Sequence, residues 1–204
     1  SQPLFGLETL PVYFLAWTTT PWTLPSNTAL CVGPNIEYVR VKSFNPYTGA
    51  EAIYIVAKAL VSTWFSPKAA GLSLEDYKPG DKLIPFKVLD GTFKGSELVG
   101  IRYHQLIPWF KPLEGDAFRV IPGDYVSIDE GTTGIVHIAP TFGADDKKVA
   151  TAAGIPPMMV LDKNGNMVDK KIVDMKFSLD ERICDGHYYA QFVQGLRYIF
   201  QHPE

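Results

Sequence analysis

Proline and glycine punctuate this chain throughout, 16 and 17 of them in 204 residues. Proline fixes φ and removes a backbone donor, while glycine admits tight turns. Spread evenly, they favour many short strands over long helices. Residues 10–17 (LPVYFLAW) are an apolar run that reads as a buried strand. Short strands are expected at 28–32, 38–42 and 52–56, the last preceded by a turn at 45–49. Within 38–42, Tyr38, Arg40 and Lys42 face opposite Val39 and Val41. Residues 57–65 read as a short helix with Leu60, Val61 and Trp64 on its apolar face. Strands are expected again over 82–103, broken at Asp90-Gly91 and Lys94-Gly95, followed by a loop over 107–115. Strands at 118–121 and 125–128 flank a Pro-Gly-Asp turn, and 134–138 is a short apolar strand. Residues 145–153 read as a helix stopped by Gly154 and Pro156. Lys163-Asn164-Gly165 signals a hairpin between strands at 158–161 and 166–168. Residues 185–200 read as a helix with Tyr189, Phe192, Val193 and Leu196 on one side. The expectation is one β-rich α+β domain over 1–204, without repeats or linkers.

Composition narrows the function. At 46% hydrophobic residues and 20% charged, the chain can bury a sizeable core. That excludes a disordered tail, a collagen, a coiled coil and a disulfide-dense scaffold. Cys31 and Cys184 lie far apart and read as reduced thiols, with one bridge left open. The net charge of −3 gives no electrostatic footprint for nucleic acid. No apolar run approaches the roughly 20 residues of a membrane span. Ser1-Gln2-Pro3-Leu4-Phe5 carries no signal-peptide pattern and reads as an end cut from a longer chain.

Two segments carry chemistry. The first is Trp17-Thr18-Thr19-Thr20-Pro21-Trp22-Thr23-Leu24-Pro25-Ser26-Asn27. Hydroxyls and an amide are concentrated in a turn stiffened by two prolines, which suits a ligand rich in hydroxyls and ring nitrogens, such as a nucleoside. The same residues fit equally a turn that satisfies its own backbone. The second is Gly134-Ile135-Val136-His137-Ile138-Ala139-Pro140-Thr141-Phe142-Gly143-Ala144-Asp145-Asp146. A strand ends near a histidine, crosses a loop and enters a helix at two aspartates. Asp145 fits the N-cap and Asp146 the first turn, where the helix dipole keeps carboxylates ionised. An ionised carboxylate there can also hold a substrate ammonium group. A lone histidine in an apolar strand is more commonly a satisfied core residue, but His137 stands near the strand's end, where sites collect. Nucleophile elbows, glycine-rich phosphate loops and zinc spacings are absent from the sequence. His104, His187 and His202 stand outside any motif, and the pairs Lys147-Lys148 and Lys170-Lys171 read as solvated faces.

Together the two segments resemble the editing (connective peptide 1) domain of isoleucyl-tRNA synthetases. Residues 17–27 look like that family's threonine-rich motif. Gly134-Ile135-Val136-His137, Ala139-Pro140 and Gly143-Ala144-Asp145-Asp146 look like its second motif. Phe93-Lys94-Gly95-Ser96-Glu97-Leu98-Val99-Gly100-Ile101-Arg102-Tyr103 is similar to an intervening family segment. The valyl and leucyl siblings usually carry arginine where this chain has Thr20 and usually lack His137. Two departures stand out: Gly131-Thr132-Thr133-Gly134 replaces a Gly-Thr-Gly, which predicts a bulge, and Phe142 stands where many members have histidine. The synthetase's HIGH and KMSKS signatures are absent.

The resemblance implies a β-barrel-like core with peripheral short helices. It implies hydrolysis of valyl-tRNA(Ile), with hydrolysis of valyl-adenylate left open, in a cytoplasmic ligase whose ATP chemistry lies elsewhere. Thr18, Thr19 and Thr20 would bond the ribose, the ester carbonyl and the attacking water. Asp146 would hold the α-ammonium group, so these four form the catalytic set. Thr23 and His137 would wall the side-chain pocket, Asn27 would orient the loop or touch substrate, and Trp17 and Trp22 would pack the loop. No metal or cofactor is implied in this domain. The partners would be the aminoacylated tRNA end, with its valine and terminal adenosine, and the remainder of the synthetase; the domain itself would be a monomer. Two alternatives are an editing domain of a valyl or leucyl synthetase, and a non-catalytic module for nucleosides or tRNA ends.

Overall fold

The computed structural model describes residues 9–161. The chain divides into two compact units, Ser1–Met158 and Met159–Glu204. Nearly all of the second lies outside the described residues, so a single domain over 1–204 remains an expectation. The Lys163-Asn164-Gly165 hairpin, the helix at 185–200, Cys184, His187, His202, Lys170-Lys171 and residues 1–5 also lie outside them.

The described strands are β1 (Val12–Phe14), β2 (Ala29–Val32), β3 (Glu37–Phe44), β4 (Glu51–Ala57), β5 (Lys87–Lys94), β6 (Arg119–Pro122) and β7 (Ile135–Ile138). The helices are short: α1 (Val61–Trp64), α2 (Gly95–Leu98) and α3 (Ala144–Ala152), with 3-10 turns at Pro21–Ser26, Lys58–Leu60 and Pro67–Ala69. One mixed sheet has the order β1-β4-β3-β5, the other β6-β2-β7. The β-rich α+β class with peripheral helices is therefore present, its barrel-like core built as two separate sheets. Among the described residues, no helix is long and apolar enough to cross a membrane.

Strand β2 shows how one short sequence serves two cores. Alternate residues point to opposite faces of a strand. Leu30 and Val32 join a cluster with Tyr38, Val41, Ile55 and Val120, while Ala29 and Cys31 join Ile121, Ile138 and Ala150. All four β2 residues are buried, which is why the strand reads as an unbroken apolar run. Cys31 is a buried free thiol, and burial pushes its pKa up to about 11.

Several elements differ from the sequence reading. The run at 10–17 is not one buried strand. Only Val12–Phe14 pairs with β4, at a sheet edge, and Tyr13 is exposed. Trp17 instead bridges to Val136 of β7 in the other sheet. The Lys94-Gly95 break opens α2, because the Glu97 carboxylate accepts from the Lys94 amide at 2.7 Å and closes a helical turn. Residues 125–128 form no strand; Val126 packs into the second core from an irregular segment. Residues 158–160 carry no regular pairing. The bulge expected near Gly131-Thr132-Thr133-Gly134 is absent, since β7 pairs with β2 without a slip from Ile135 to Ile138. The segment forms a turn instead, in which Thr132 N and Oγ1 both bond the Asp129 carbonyl. Gly134 sits at φ +74°, where an added Cβ would stand 2.6 Å from Ala57 Cβ.

Candidate functional site

The threonine loop is stitched to β7 at both ends. After β1, Trp17 donates its amide to Ile135 O at 2.9 Å and accepts from the His137 amide at 3.3 Å. At the far end, the Thr28 amide donates to Ile138 O at 3.0 Å. His137 therefore lies between the two points where the loop leaves and rejoins the sheet. Pro21 opens the intervening 3-10 turn and Pro25 lies within it, with Thr23, Pro25 and Ser26 buried. Ser26 Oγ ties the turn to Met158 O at 2.6 Å.

Within this frame the polar groups form a directed network. Asn27 Nδ2 lies 2.8 Å from both Ala29 O and His137 Nδ1. An amide nitrogen only donates, so His137 Nδ1 accepts and the neutral ring carries its proton on Nε2. Nε2 is 3.0 Å from Thr23 Oγ1, to which it donates. The Thr23 hydroxyl in turn donates to Thr20 O at 2.7 Å. Thr20 Oγ1 lies 3.3 Å from Thr23 Oγ1 and 3.4 Å from Thr18 Oγ1, and the Thr20 amide donates to Thr18 Oγ1 at 3.1 Å. His137 is 5% exposed, and burial pushes its pKa down to about 4. It is uncharged at neutral pH, and both ring nitrogens are already engaged.

Asp146 arrives from the other side. The sequence reading placed Asp145 at the N-cap of α3, but the cap is Gly143, with no side-chain capping bond. Asp145 and Asp146 both lie in the first turn, and Asp146 Oδ2 reaches back to accept from the Ala139 amide at 2.8 Å. Burial raises the Asp146 pKa, the Ala139 bond opposes that, and Asp145 adds a smaller upward push. Burial thus outweighs the bond from the Ala139 amide, which favours ionisation. A Cβ at Gly143 would stand 3.0 Å from Asp146 Cγ, so a side chain there would press on the carboxylate.

Trp17, Thr18, Thr19, Thr20, Val136, His137 and Asp146 line one cavity of about 110 Å³. Five of the seven candidate residues are thereby brought to one space. Thr23 and Asn27 are not at its surface; they stand behind His137 and hold its ring. Trp17 forms part of the lining, whereas Trp22 is 53% exposed and does not bury itself in the loop. The sequence reading missed Val136 as a lining residue. It also missed Tyr103, whose hydroxyl donates to Asn27 Oδ1 at 2.6 Å. Nothing in the local sequence around Tyr103 signals that contact. Among the described residues, no group of three or more His, Cys, Asp or Glu side chains is placed to hold a metal ion.

The chain is 62% identical over 172 residues to the isoleucine–tRNA ligase of Bacteroides fragilis, covering 83% of this chain and 15% of that protein. It is 63% identical over 193 residues to that of Cytophaga hutchinsonii, covering 94% of this chain and 17% of that protein. The chain therefore spans about a sixth of the length of these relatives. The editing domain of the P. falciparum cytosolic leucyl-tRNA synthetase shares the fold, with TM-score 0.50 and 20% identity over 70% of this chain and 46% of that one. No family model matches the chain.

Proposed function

The chain belongs to the isoleucine–tRNA ligase family, and from that premise we propose that its described domain is an editing hydrolase. It deacylates valine wrongly esterified to tRNA(Ile) and excludes the isoleucyl ester by size. The observation that supports the reading is the cavity where a carboxylate, three threonines and a neutral imidazole meet. The chemical need is general: one methylene is worth only about 1–3 kcal/mol in a binding pocket, isoleucine against valine being the standing example. A second site that destroys the smaller product multiplies that discrimination.

In this reading Asp146 anchors the α-ammonium group, a charge-assisted bond strengthened by partial desolvation. His137 and Val136 wall the side chain, with Thr23 and Asn27 bracing the imidazole. Thr18, Thr19 and Thr20 orient the ester and a water molecule. The water oxygen attacks the ester carbonyl carbon, the bond to the ribose oxygen breaks, and that oxygen takes the proton the water gives up. In this reading His137 does not serve as the base, because the one free lone pair of its ring, on Nδ1, already accepts from Asn27 and burial pushes its pKa down to about 4. The neighbouring ribose hydroxyl and the substrate's amino group assist instead, and proximity lowers the barrier. The cavity of about 110 Å³ is small beside whole-ligand pockets of several hundred Å³, so in this reading it takes the aminoacyl end and the terminal adenosine lies outside it. With a net charge of −3 the domain holds tRNA weakly alone, and the rest of a cytoplasmic synthetase delivers the acceptor end.

The test is deacylation by the full-length ligase of tRNA(Ile) charged with valine or isoleucine, with valyl-adenylate assayed beside them. The wild type should hydrolyse the valyl ester and spare the isoleucyl one. Asp146→Asn should lower the valyl rate about 10- to 100-fold, the worth of one charge-assisted hydrogen bond. Equal hydrolysis of both esters would sink the size sieve, and an unchanged Asp146→Asn rate would sink the anchor.

A further inference from the structure

The phenol of Tyr103 comes from outside both motifs and ends on the side chain that braces His137. The Asn27 side chain offers two N–H hydrogens and one carbonyl oxygen. Its nitrogen serves Ala29 O and His137 Nδ1, each at 2.8 Å, and its oxygen accepts from Tyr103 at 2.6 Å. Asn27 is 4% exposed, so these partners stand in for water. Turning the amide over would set its oxygen against the carbonyl oxygens of Ala29 and Ile138, and would leave the phenol proton without its acceptor. Burial pushes the Tyr103 phenol far above its ordinary pKa, which keeps it a donor.

The backbone that delivers Tyr103 is itself unusual. Phe118, at φ +60°, is the one non-glycine residue with positive φ among the described residues. A bulky side chain there is strained and persists only where its surroundings over-determine it. Phe118 O accepts from the Tyr103 amide at 3.0 Å, and the Phe118 amide donates to Thr28 O at 2.7 Å, beside Asn27. The two rings meet edge to face at 6.1 Å and 83°. The strained residue thus joins the backbone of Tyr103 to that of the Asn27 strand entry.

We propose that Tyr103 is a positioning residue for the editing site: by bonding Asn27 Oδ1 it fixes His137 in the Nε2–H tautomer and holds the imidazole wall, braced by Thr23, at the spacing that separates valine from isoleucine. The effect on selectivity rests on the editing reading above, whereas the tautomer lock does not.

The experiment is Tyr103→Phe, which keeps the ring and its contact with Phe118. Two readouts are taken: imidazole 1H–15N correlations on the 204-residue chain, and kcat/KM for valyl and isoleucyl esters in the full-length ligase. Wild-type His137 should show a bare Nδ1 and a protonated Nε2; a protonated Nδ1 overturns the proposal at once. The variant should show mixed tautomers, and its preference for the valyl ester should fall about tenfold, the scale of one neutral hydrogen bond. Either readout unchanged in a folded variant overturns the proposal. If the wild-type ligase fails to distinguish the esters, the editing reading falls, and the spectra still decide the lock. Should Tyr103→Phe not fold, Asn27→Asp replaces it: a carboxylate facing Nδ1 should draw a proton there, and a bare Nδ1 in that variant overturns the proposal.

Discussion

Acidification is the perturbation that most directly tests the neutral imidazole. An unfolded histidine titrates near 6.5, and burial holds His137 near 4. Between those values the unfolded chain binds a proton that the folded chain refuses, so stability falls as pH falls. The full difference corresponds to about 3 kcal/mol by pH 4, at about 1.4 kcal/mol per pKa unit. Roughly 2 kcal/mol of it should be lost between pH 7 and pH 5. Burial is the cause, and a proton on Nδ1 would in addition face the Asn27 N–H group at 2.8 Å, donor against donor. Asp146 acts with the opposite sign, since its raised pKa lets the folded state hold a proton more readily. That contribution is common to the wild type and to His137→Gln, and cancels between them. The assay is urea unfolding followed by tryptophan fluorescence at pH 7, 6 and 5. Trp17, Trp22, Trp64 and Trp109 all lie in the unit Ser1–Met158, so the signal reports that unit. The wild type should lose about 2 kcal/mol more than His137→Gln over this range. Parallel pH profiles, or a His137 ring resonance titrating near 6.5, would refute the reasoning.

Two further substitutions probe the supports of the site. Gly143→Ala would place a Cβ 3.0 Å from Asp146 Cγ and 3.3 Å from Oδ2, pressing on the carboxylate. The valyl-ester KM should rise about three- to tenfold, a fraction of one charge-assisted bond, with thermal stability nearly kept; an unchanged KM would show that the carboxylate position is not critical. Tyr38→Phe removes a fully buried hydroxyl that donates to Gly134 O at 2.6 Å and accepts from the Gly33 amide at 3.0 Å. Two stranded backbone groups should cost about 2–4 kcal/mol in urea unfolding, and a loss below about 1 kcal/mol would mean that water replaces the phenol.

What the sequence disclosed depended on the range of each interaction. The four apolar residues of β2 and the Gly154–Pro156 stop of α3 are local signals, and both were legible. The two motifs were legible as chemistry, because hydroxyls and prolines at 17–27 and the histidine and aspartates at 134–146 announce their types. Their meeting was not, since Thr23 and His137 are 114 residues apart and touch only because Trp17 changes sheets. An apolar run cannot say that its first half pairs with β4 and its last residue with β7, so 10–17 read as one strand. Asp145 matched the cap pattern, yet Gly143 took the cap and Asp146 turned to Ala139. Tyr103 carried no local mark, because its role comes from the backbone turn at Phe118.

On the proposed reading, the arrangement also gives a physical reason to wall a sieve for one methylene with a polar group. An aliphatic wall can yield by hopping rotamers, and overpacking it by one group costs only about 1–3 kcal/mol. His137 cannot rotate without breaking its bonds to Asn27 and Thr23 together, and the Asn27 amide cannot turn without losing Ala29 O and Tyr103. Because their hydrogen-bonding capacity is spent inside the protein, these groups have little polar attraction left for a substrate or for water. The imidazole can therefore act by shape, stiffened by a buried network whose members are each satisfied. Of the residues that line the cavity, Asp146 alone has a carboxylate. On the proposed reading that separates the tasks: Asp146 recognises what all α-amino esters share, and the braced imidazole responds to the one group in which they differ. A substitution at Asp146 should then weaken both esters alike, whereas one at Tyr103 should change their ratio.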